Sequence, residues 1–308
     1  NSADYLRQCL LSLYRETHGI CYEVIVVDNA SHDGCAEMLR SEFPTVRLIQ
    51  SGENLGFSRA NNLGYRLSLG EIVLFLNPDT EIIGNVLPKM VAHLRASPEV
   101  GAAGARLLNS DGSLQTSCVQ AFPTLWNQWL DFELLRSLFP SWNLWGTRPL
   151  LEPQASRPAK VDAISGACFM VKRSAFEEAG RFNENYFMYS EDMDLSYRIN
   201  KAGYLIHYLD ECRVIHHGGK SSEKQADNFS DVAQRESLAR FFRATRGRLY
   251  CGVYRAGMAV IAVLRLVMVL CFAPFAGLGL QGKPPRLVFR KWTRILRWGV
   301  GLGGSYTS

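Results

Sequence analysis

Four carboxylates and a histidine pair stand at element ends in this chain, not along exposed helix faces. Asp28 closes the β-branched run Glu23-Val-Ile-Val-Val-Asp28, and Asp79 sits in Asn77-Pro-Asp-Thr80 directly after the apolar run Glu71–Leu76. Glu191 and Asp192 open a helical pattern that closes at Gly203, and His216-His217 lead into Gly218-Gly-Lys-Ser221. Singly, each carboxylate reads as a helix cap or a turn former. A hard cation such as Mg2+ or Mn2+, however, takes few protein carboxylates and completes its shell on phosphate oxygens. Asp79 suits that chemistry, whereas Asn77 offers only a neutral oxygen. Imidazole accompanies carboxylate well on Mn2+, which draws attention to the histidine pair. The stretch Glu53–Asn62 places Gly56 and Arg59 at a helix start, a setting that holds phosphate.

The elements that must position these residues follow from periodicity. Helical spacing predicts helices over 4–15, 35–42, 57–69, 84–96, 174–179 and 191–202. Short apolar runs predict strands over 23–28, 46–50, 71–76 and 161–172, and a strand pair over 204–215. Apolar strands alternating with helices imply an α/β fold with a mostly parallel sheet flanked by helices. Ligands of such sheets bind beyond the carboxyl ends of the strands, which is where Asp28 and Asp79 fall. Beyond Val100 the pattern changes: Asp111-Gly112 signals a hairpin, and 124–139 is rich in Trp, Leu and Phe. Residues 140–160 hold four of the twelve prolines and read as a loop or lid.

Seven segments, in order, resemble a known family. They are Asp28-Asn-Ala-Ser-His-Asp-Gly34, Glu53-Asn-Leu-Gly-Phe-Ser-Arg-Ala-Asn-Asn-Leu-Gly64, Leu76-Asn-Pro-Asp-Thr80, Gly166-Ala-Cys-Phe-Met, Arg181-Phe-Asn-Glu184, Met188-Tyr-Ser-Glu-Asp-Met-Asp-Leu195 and Val214-Ile-His-His-Gly-Gly-Lys-Ser221. Over about residues 1–225 the chain is similar to the family 2 glycosyltransferases of GT-A fold, in their rhamnosyltransferase-like branch. The resemblance implies a nucleotide-sugar donor, a divalent metal (Mg2+ or Mn2+) and a single inverting displacement. It implies that Asp28, with Asn29 and Ser31, meets the nucleotide, joined at the donor by Asn54, Arg59 and Asn77. It makes Asp79 the acid of the family's metal-binding element, whose first acid is here Asn77, and His216 its partner on metal or diphosphate. Asp192 matches the general base, with Glu191 orienting the acceptor, and Asn183 stands where the family often has Asp. The family usually begins with a strand ending near Asn1, so the resemblance implies that this first strand is missing. A base at the acceptor hydroxyl, with a metal and Arg59 at the leaving diphosphate, suits direct inversion. Retaining hydrolases would use two closely spaced acids instead.

Composition bounds the rest. The 308 residues are 47% hydrophobic and 20% charged, which excludes disorder, collagen and coiled coil. Net charge is +5, yet none of the 29 acids lies beyond Glu236, and twelve bases follow it. The expected division is therefore a catalytic domain over 1–236 and a basic, apolar helical tail over 237–308 that associates with an anionic membrane surface. Ala256–Leu280 carries a single charge, Arg265, and is long enough to span; Arg265 near its middle would cost roughly 2.5–3.5 kcal/mol. Arg286, Arg290, Arg294 and Arg297 recur at helical spacing, as on an amphipathic helix at a lipid surface. The eight cysteines show no C-x-x-C pair and read as reduced thiols. The expected function is rhamnosyl transfer from dTDP-L-rhamnose to a lipid-linked or polysaccharide acceptor. Its expected place is the cytoplasmic face of the inner membrane, peripheral or monotopic or with one span. UDP-galactofuranose or another UDP-hexose is the rival donor; a sugar nucleotidyltransferase leaves Glu191, Asp192 and His216 without a role. Intact Asp79, Asp192 and His216 speak against a catalytically silent membrane partner. A nucleic-acid binder leaves the apolar run unexplained.

Overall fold

Helix and strand alternate through the first hundred residues: α1 (Ala3–Glu16), β1 (Ile25–Asn29), α2 (Cys35–Glu42), β2 (Arg47–Ser51), α3 (Gly56–Arg66), β3 (Ile72–Leu76), β4 (Thr80–Ile82) and α4 (Val86–Ala96). Then come β5 (Val100–Leu108), β6 (Val119–Gln120), α5 (Leu125–Trp129), α6 (Glu133–Leu138) and α7 (Arg148–Leu151). β7 (Ala159–Lys160), β8 (Ala163–Ile164), β9 (Cys168–Lys172), α8 (Arg173–Glu178), α9 (Glu191–Lys201) and β10 (Leu205–His216) follow. Two long helices, α10 (Ser230–Phe272) and α11 (Pro285–Gly299), complete the chain. The computed structural model describes residues 2–151, 158–218, 230–272 and 285–302. Residues 152–157 of the proline-rich loop, Gly219–Ser221 of the histidine motif, 273–280 of the apolar run and Lys283 lie outside the described residues.

The chain divides into two units. The first comprises Asn1–Phe122, Glu133–Phe187 and Glu191–Lys224; the second comprises Pro123–Phe132, Met188–Ser190 and Gln225–Ser308.

In the first unit, β3, β9, β5, β10 and β4 lie side by side in that order, and β7 also pairs with β10. The expected parallel component is β1 on β2 and β5 on β10. The sheet is mixed because β9 inserts antiparallel between β3 and β5, while β4 runs against β10. Residues 161–172, expected as one strand, break into β8 and β9 around a turn at 165–167. The segment 204–215, expected as a strand pair, is one strand whose register on β5 slips between Leu205 and Ile206 and between Leu209 and Arg213. Cys168, Phe169, Met170 and Val171 of β9 are all buried, the continuous apolar signature of a central strand. Phe75, Phe176 and Phe182 pack with ring centroids 4.8–5.5 Å apart and tie β3, α8 and the segment before α9 together.

The second unit is built on α10, which breaks at Gly247 (φ 88°, ψ 174°) into arms over 230–246 and 248–272. Phe242 of the first arm packs on Tyr254 of the second at 4.9 Å, and α11 lies against α10 with Ile295 and Trp298 buried.

One turn in the first unit is set by backbone alone. Gly56 opens α3 at φ +74°, and a Cβ there would lie 2.5 Å from the Phe187 carbonyl oxygen. Gly56→Ala should therefore cost about 2 kcal/mol or more and lower the melting temperature. Gly52→Ala, with nothing within 4 Å of its Cβ, should leave it nearly unchanged.

Candidate active site

The carboxyl end of β1 is knitted to the start of α3 by side-chain amides. Asp28 is 6% exposed, and its Oδ1 accepts the Ser31 N–H at 3.0 Å, which bends the chain away from the sheet. Asn29 donates to Asn54 Oδ1 at 2.9 Å and accepts the Leu55 N–H at 2.7 Å. Asn54 in turn accepts the Gly56 N–H at 3.0 Å, and the Phe57 N–H donates to the Phe187 carbonyl at 2.8 Å. Asp28, Asn29, Ser31 and Asn54 therefore form one cluster. The first amides of α3 are already committed, so a phosphate here would meet the Arg59 side chain, which is exposed and forms no ion pair among the described residues.

The antiparallel register of β4 on β10 sets His216 opposite Thr80 and brings it to the preceding Asp79. His216 Nε2 lies 3.4 Å from Asp79 Oδ1 and 3.3 Å from Asn77 Nδ2. Thr80 closes the turn by donating to the Asn77 carbonyl at 2.7 Å. Burial alone would raise the Asp79 carboxyl, but the hydrogen bond and charge of His216, its own N–H and His217 outweigh burial and hold it below the ordinary value. Strand alternation sends His217 elsewhere, to Glu81 Oε1 at 2.7 Å and Ser110 Oγ at 2.8 Å. Of the pair, only His216 faces Asp79.

A residue absent from the sequence reading orients that imidazole. Gln115 Oε1 lies 2.7 Å from His216 Nδ1, while Gln115 Nε2 donates to Asn109 Oδ1 at 3.0 Å. With its amide so oriented, Gln115 accepts the Nδ1 proton, and Nε2 faces Asn77 and Asp79. No group of three or more His, Cys, Asp or Glu side chains able to hold a metal occurs among the described residues. Carboxylate, imidazole and the Asn77 amide instead leave most of a coordination shell open, the donor set of a cation shared with phosphate oxygens.

Glu191 and Asp192 begin α9 directly after Tyr189 and Ser190, both in the left-handed region at φ 70° and 63°. Both Asp192 oxygens accept backbone protons, Oδ2 from Gly166 at 2.9 Å and Oδ1 from Met193 at 2.8 Å. Burial raises Asp192 above the usual carboxylate range despite these bonds. Glu191 is 8% exposed, and its buried Oε2 has no hydrogen-bond partner among the described residues. Burial, and then the charge of Asp192, push it well up. The turn between β8 and β9 joins the two halves of the site: Gly166 N–H holds Asp192, and the adjacent Ala167 carbonyl accepts the Asn77 N–H at 3.0 Å. A fixed carboxylate thus hangs on the same turn as the Asp79–His216 pair.

A profile described as Glycosyl transferase family 2 matches residues 1–180. The chain belongs to this family. It is 34% identical over 250 residues to an N-acetylglucosaminyl-diphospho-decaprenol L-rhamnosyltransferase of Mycobacterium tuberculosis, covering 76% of this chain and 77% of that protein. It is 26% identical to the rhamnosyltransferase WbbL of Escherichia coli, covering 70% and 79%. Among solved structures, a mannosyltransferase from Pyrobaculum calidifontis in complex with GDP-Man and Mn2+ superposes with a TM-score of 0.56 at 19% identity, over 98% of this chain and 84% of that one. The fold of this family 2 glycosyltransferase is GT-A.

Gln115 and Gly166 are the positioning groups of the site. Replacing Gln115 by Leu should redistribute the His216 proton between its nitrogens in the metal-free protein, read by 15N NMR, and weaken Mn2+ binding about tenfold or more. Gln115→Glu, which keeps an acceptor at Nδ1, should preserve the wild-type tautomer. An unchanged His216 spectrum in the Leu variant would show that Gln115 does not orient the ring.

Proposed function

We propose that this glycosyltransferase moves L-rhamnose from dTDP-L-rhamnose onto a lipid-linked or polysaccharide acceptor, with inversion. The observation that carries the reading is the anchored Asp192 on the same turn as the Asp79–His216 pair. The donor and acceptor classes are supported by what the related proteins are named for, rhamnosyl transfer in each and a decaprenyl diphosphate acceptor in one. Residues 1–236 carry the chemistry, and 237–308 attach it to an anionic surface at the cytoplasmic face of the inner membrane.

In the reaction, Asp192 accepts the proton of the acceptor hydroxyl as that oxygen attacks the anomeric carbon. The bond from that carbon to the diphosphate breaks in the same displacement, which inverts the centre. Two backbone N–H groups keep the Asp192 carboxylate aimed without neutralising it, and Glu191 beside it orients the acceptor. Asp28, Asn29, Ser31 and Asn54 hold the nucleotide, with Asn77 at the sugar side and Arg59 at phosphate. Asp79 and His216 would hold Mg2+ or Mn2+, which when bound offsets the charge of the leaving diphosphate.

The test is a panel of nucleotide sugars with nucleoside diphosphate release as readout. dTDP-L-rhamnose should turn over fastest, and EDTA should abolish release reversibly. Asp79→Ala should lose about a hundredfold or more in rate while keeping its circular dichroism spectrum. Preference for UDP-galactofuranose or another UDP-hexose would overturn the donor, and activity surviving both EDTA and Asp79→Ala would overturn the metal.

A further inference from the structure

The second unit presents a surface that the chemistry does not use. Along the arm over 248–272, Val260, Val263, Leu264, Val267 and Leu270 recur at three- and four-residue steps with Val253 two turns before them, and all six are 42–62% exposed. The opposite face is packed: Tyr254, Met258 and Ala262 are buried, with Tyr254 5.9 Å from the Trp298 ring of α11. By length and composition the helix is apolar enough to cross a membrane. Its packing argues otherwise.

Charge lies against the middle of this arm at two levels. Arg265 stacks over Phe132 at 4.4 Å and Trp292 at 5.5 Å, and Arg235 approaches the same Trp292 ring at 5.8 Å. Arg255 stacks over Trp298 at 4.7 Å, and the Trp298 indole N–H donates to Glu236 at 2.7 Å. Lys291 of α11 pairs with Asp231 of the first arm at 2.7 Å. Positions 255 and 265 lie five residues either side of the arm's midpoint, about 8 Å along its axis. A crossing arm would drag these groups inside a hydrocarbon core about 30 Å thick, where charge is costly. An arm lying flat keeps them on its polar side. Exposed Arg286, Arg290 and Arg297 on α11, in a stretch without acids after Glu236, complement anionic headgroups.

We infer that the second unit docks on an anionic lipid surface as an interfacial helical bundle, with the apolar face of residues 253–270 seated in the bilayer and no helix crossing it. The inference deepens the membrane attachment proposed above, and its test uses no sugar donor, so the two readings fail separately. The full chain carries Cys21→Ser, Cys251→Ser and Cys271→Ser, its other cysteines being buried. Nitroxides are placed at Val253→Cys, Val260→Cys and Val267→Cys. On vesicles of phosphatidylcholine with phosphatidylglycerol, the three labels should report one shallow depth, within a few ångströms of each other. A progression of about 10 Å per seven residues would mean a crossing helix and overturn the inference. Labels that stay aqueous, or that become immobilised without lipid in a sedimenting dimer, would assign the face to solvent or to a second copy and equally overturn it. Val260→Asp with Leu264→Asp should cut vesicle binding at least tenfold with helix content retained. Undiminished vesicle binding by that variant would contradict the assignment of the face.

Discussion

Two backbone groups on adjacent residues carry the geometry of the site. The Gly166 N–H points at Asp192 at 2.9 Å, and the Ala167 carbonyl accepts the Asn77 N–H at 3.0 Å. Both lie in the turn that separates β8 from β9, and β9 is the buried strand that slips between β3 and β5. Because that strand is packed on its neighbours, the turn cannot drift without unpairing the sheet. The sheet's rigidity is passed by two hydrogen bonds to Asp192 on one side and to the loop of Asn77 and Asp79 on the other. Placement of this kind, on regular elements, is what lets a base meet a proton with the alignment catalysis requires.

Electrostatics divides the work among carboxylates of one chemical type. Asp79, beside an imidazole, is held low and stays charged. Glu191, buried at the start of α9, and the half-buried Asp192 beside it are pushed up and hold protons more readily than exposed acids do. Opposite shifts produced by opposite surroundings are the usual mark of groups with different tasks. The same reasoning separates His216 from His217: one strand position apart, they face different partners, and only one is available for the site.

Much of this was legible in the residue pattern. Helices such as α1 and α9 follow from their apolar spacing, and Asp28, Asp79, Asp192 and His216 from their places at element ends. The direction and order of β9 were not, because an apolar run records burial and carries no mark of which strand lies beside it. The turn at 165–167 was hidden for the same reason, inside what reads as one long strand. Gln115 lies 101 residues from His216, and only the return of the hairpin at Asp111-Gly112 brings them together. In the tail, composition exposed the lone Arg265 but not its partners. Phe132 precedes it by more than a hundred residues and Trp292 follows it by 27, so the pattern shows Arg265 as a cost to a span and nothing of the rings it stacks on.

The central claim is that Asp192 is an oriented base whose proton affinity is raised by burial. The pH dependence of kcat at saturating donor tests it most directly, measured beside donor affinity for the wild type and Asp192→Asn. The wild type should lose activity as pH falls through a midpoint above the ordinary carboxylate value of about 4. The Asn variant should fall by about 10²–10⁴ in kcat with donor affinity nearly unchanged. A variant that keeps its rate, or that loses donor affinity as much as rate, would contradict the account and make Asp192 a structural or nucleotide-binding residue.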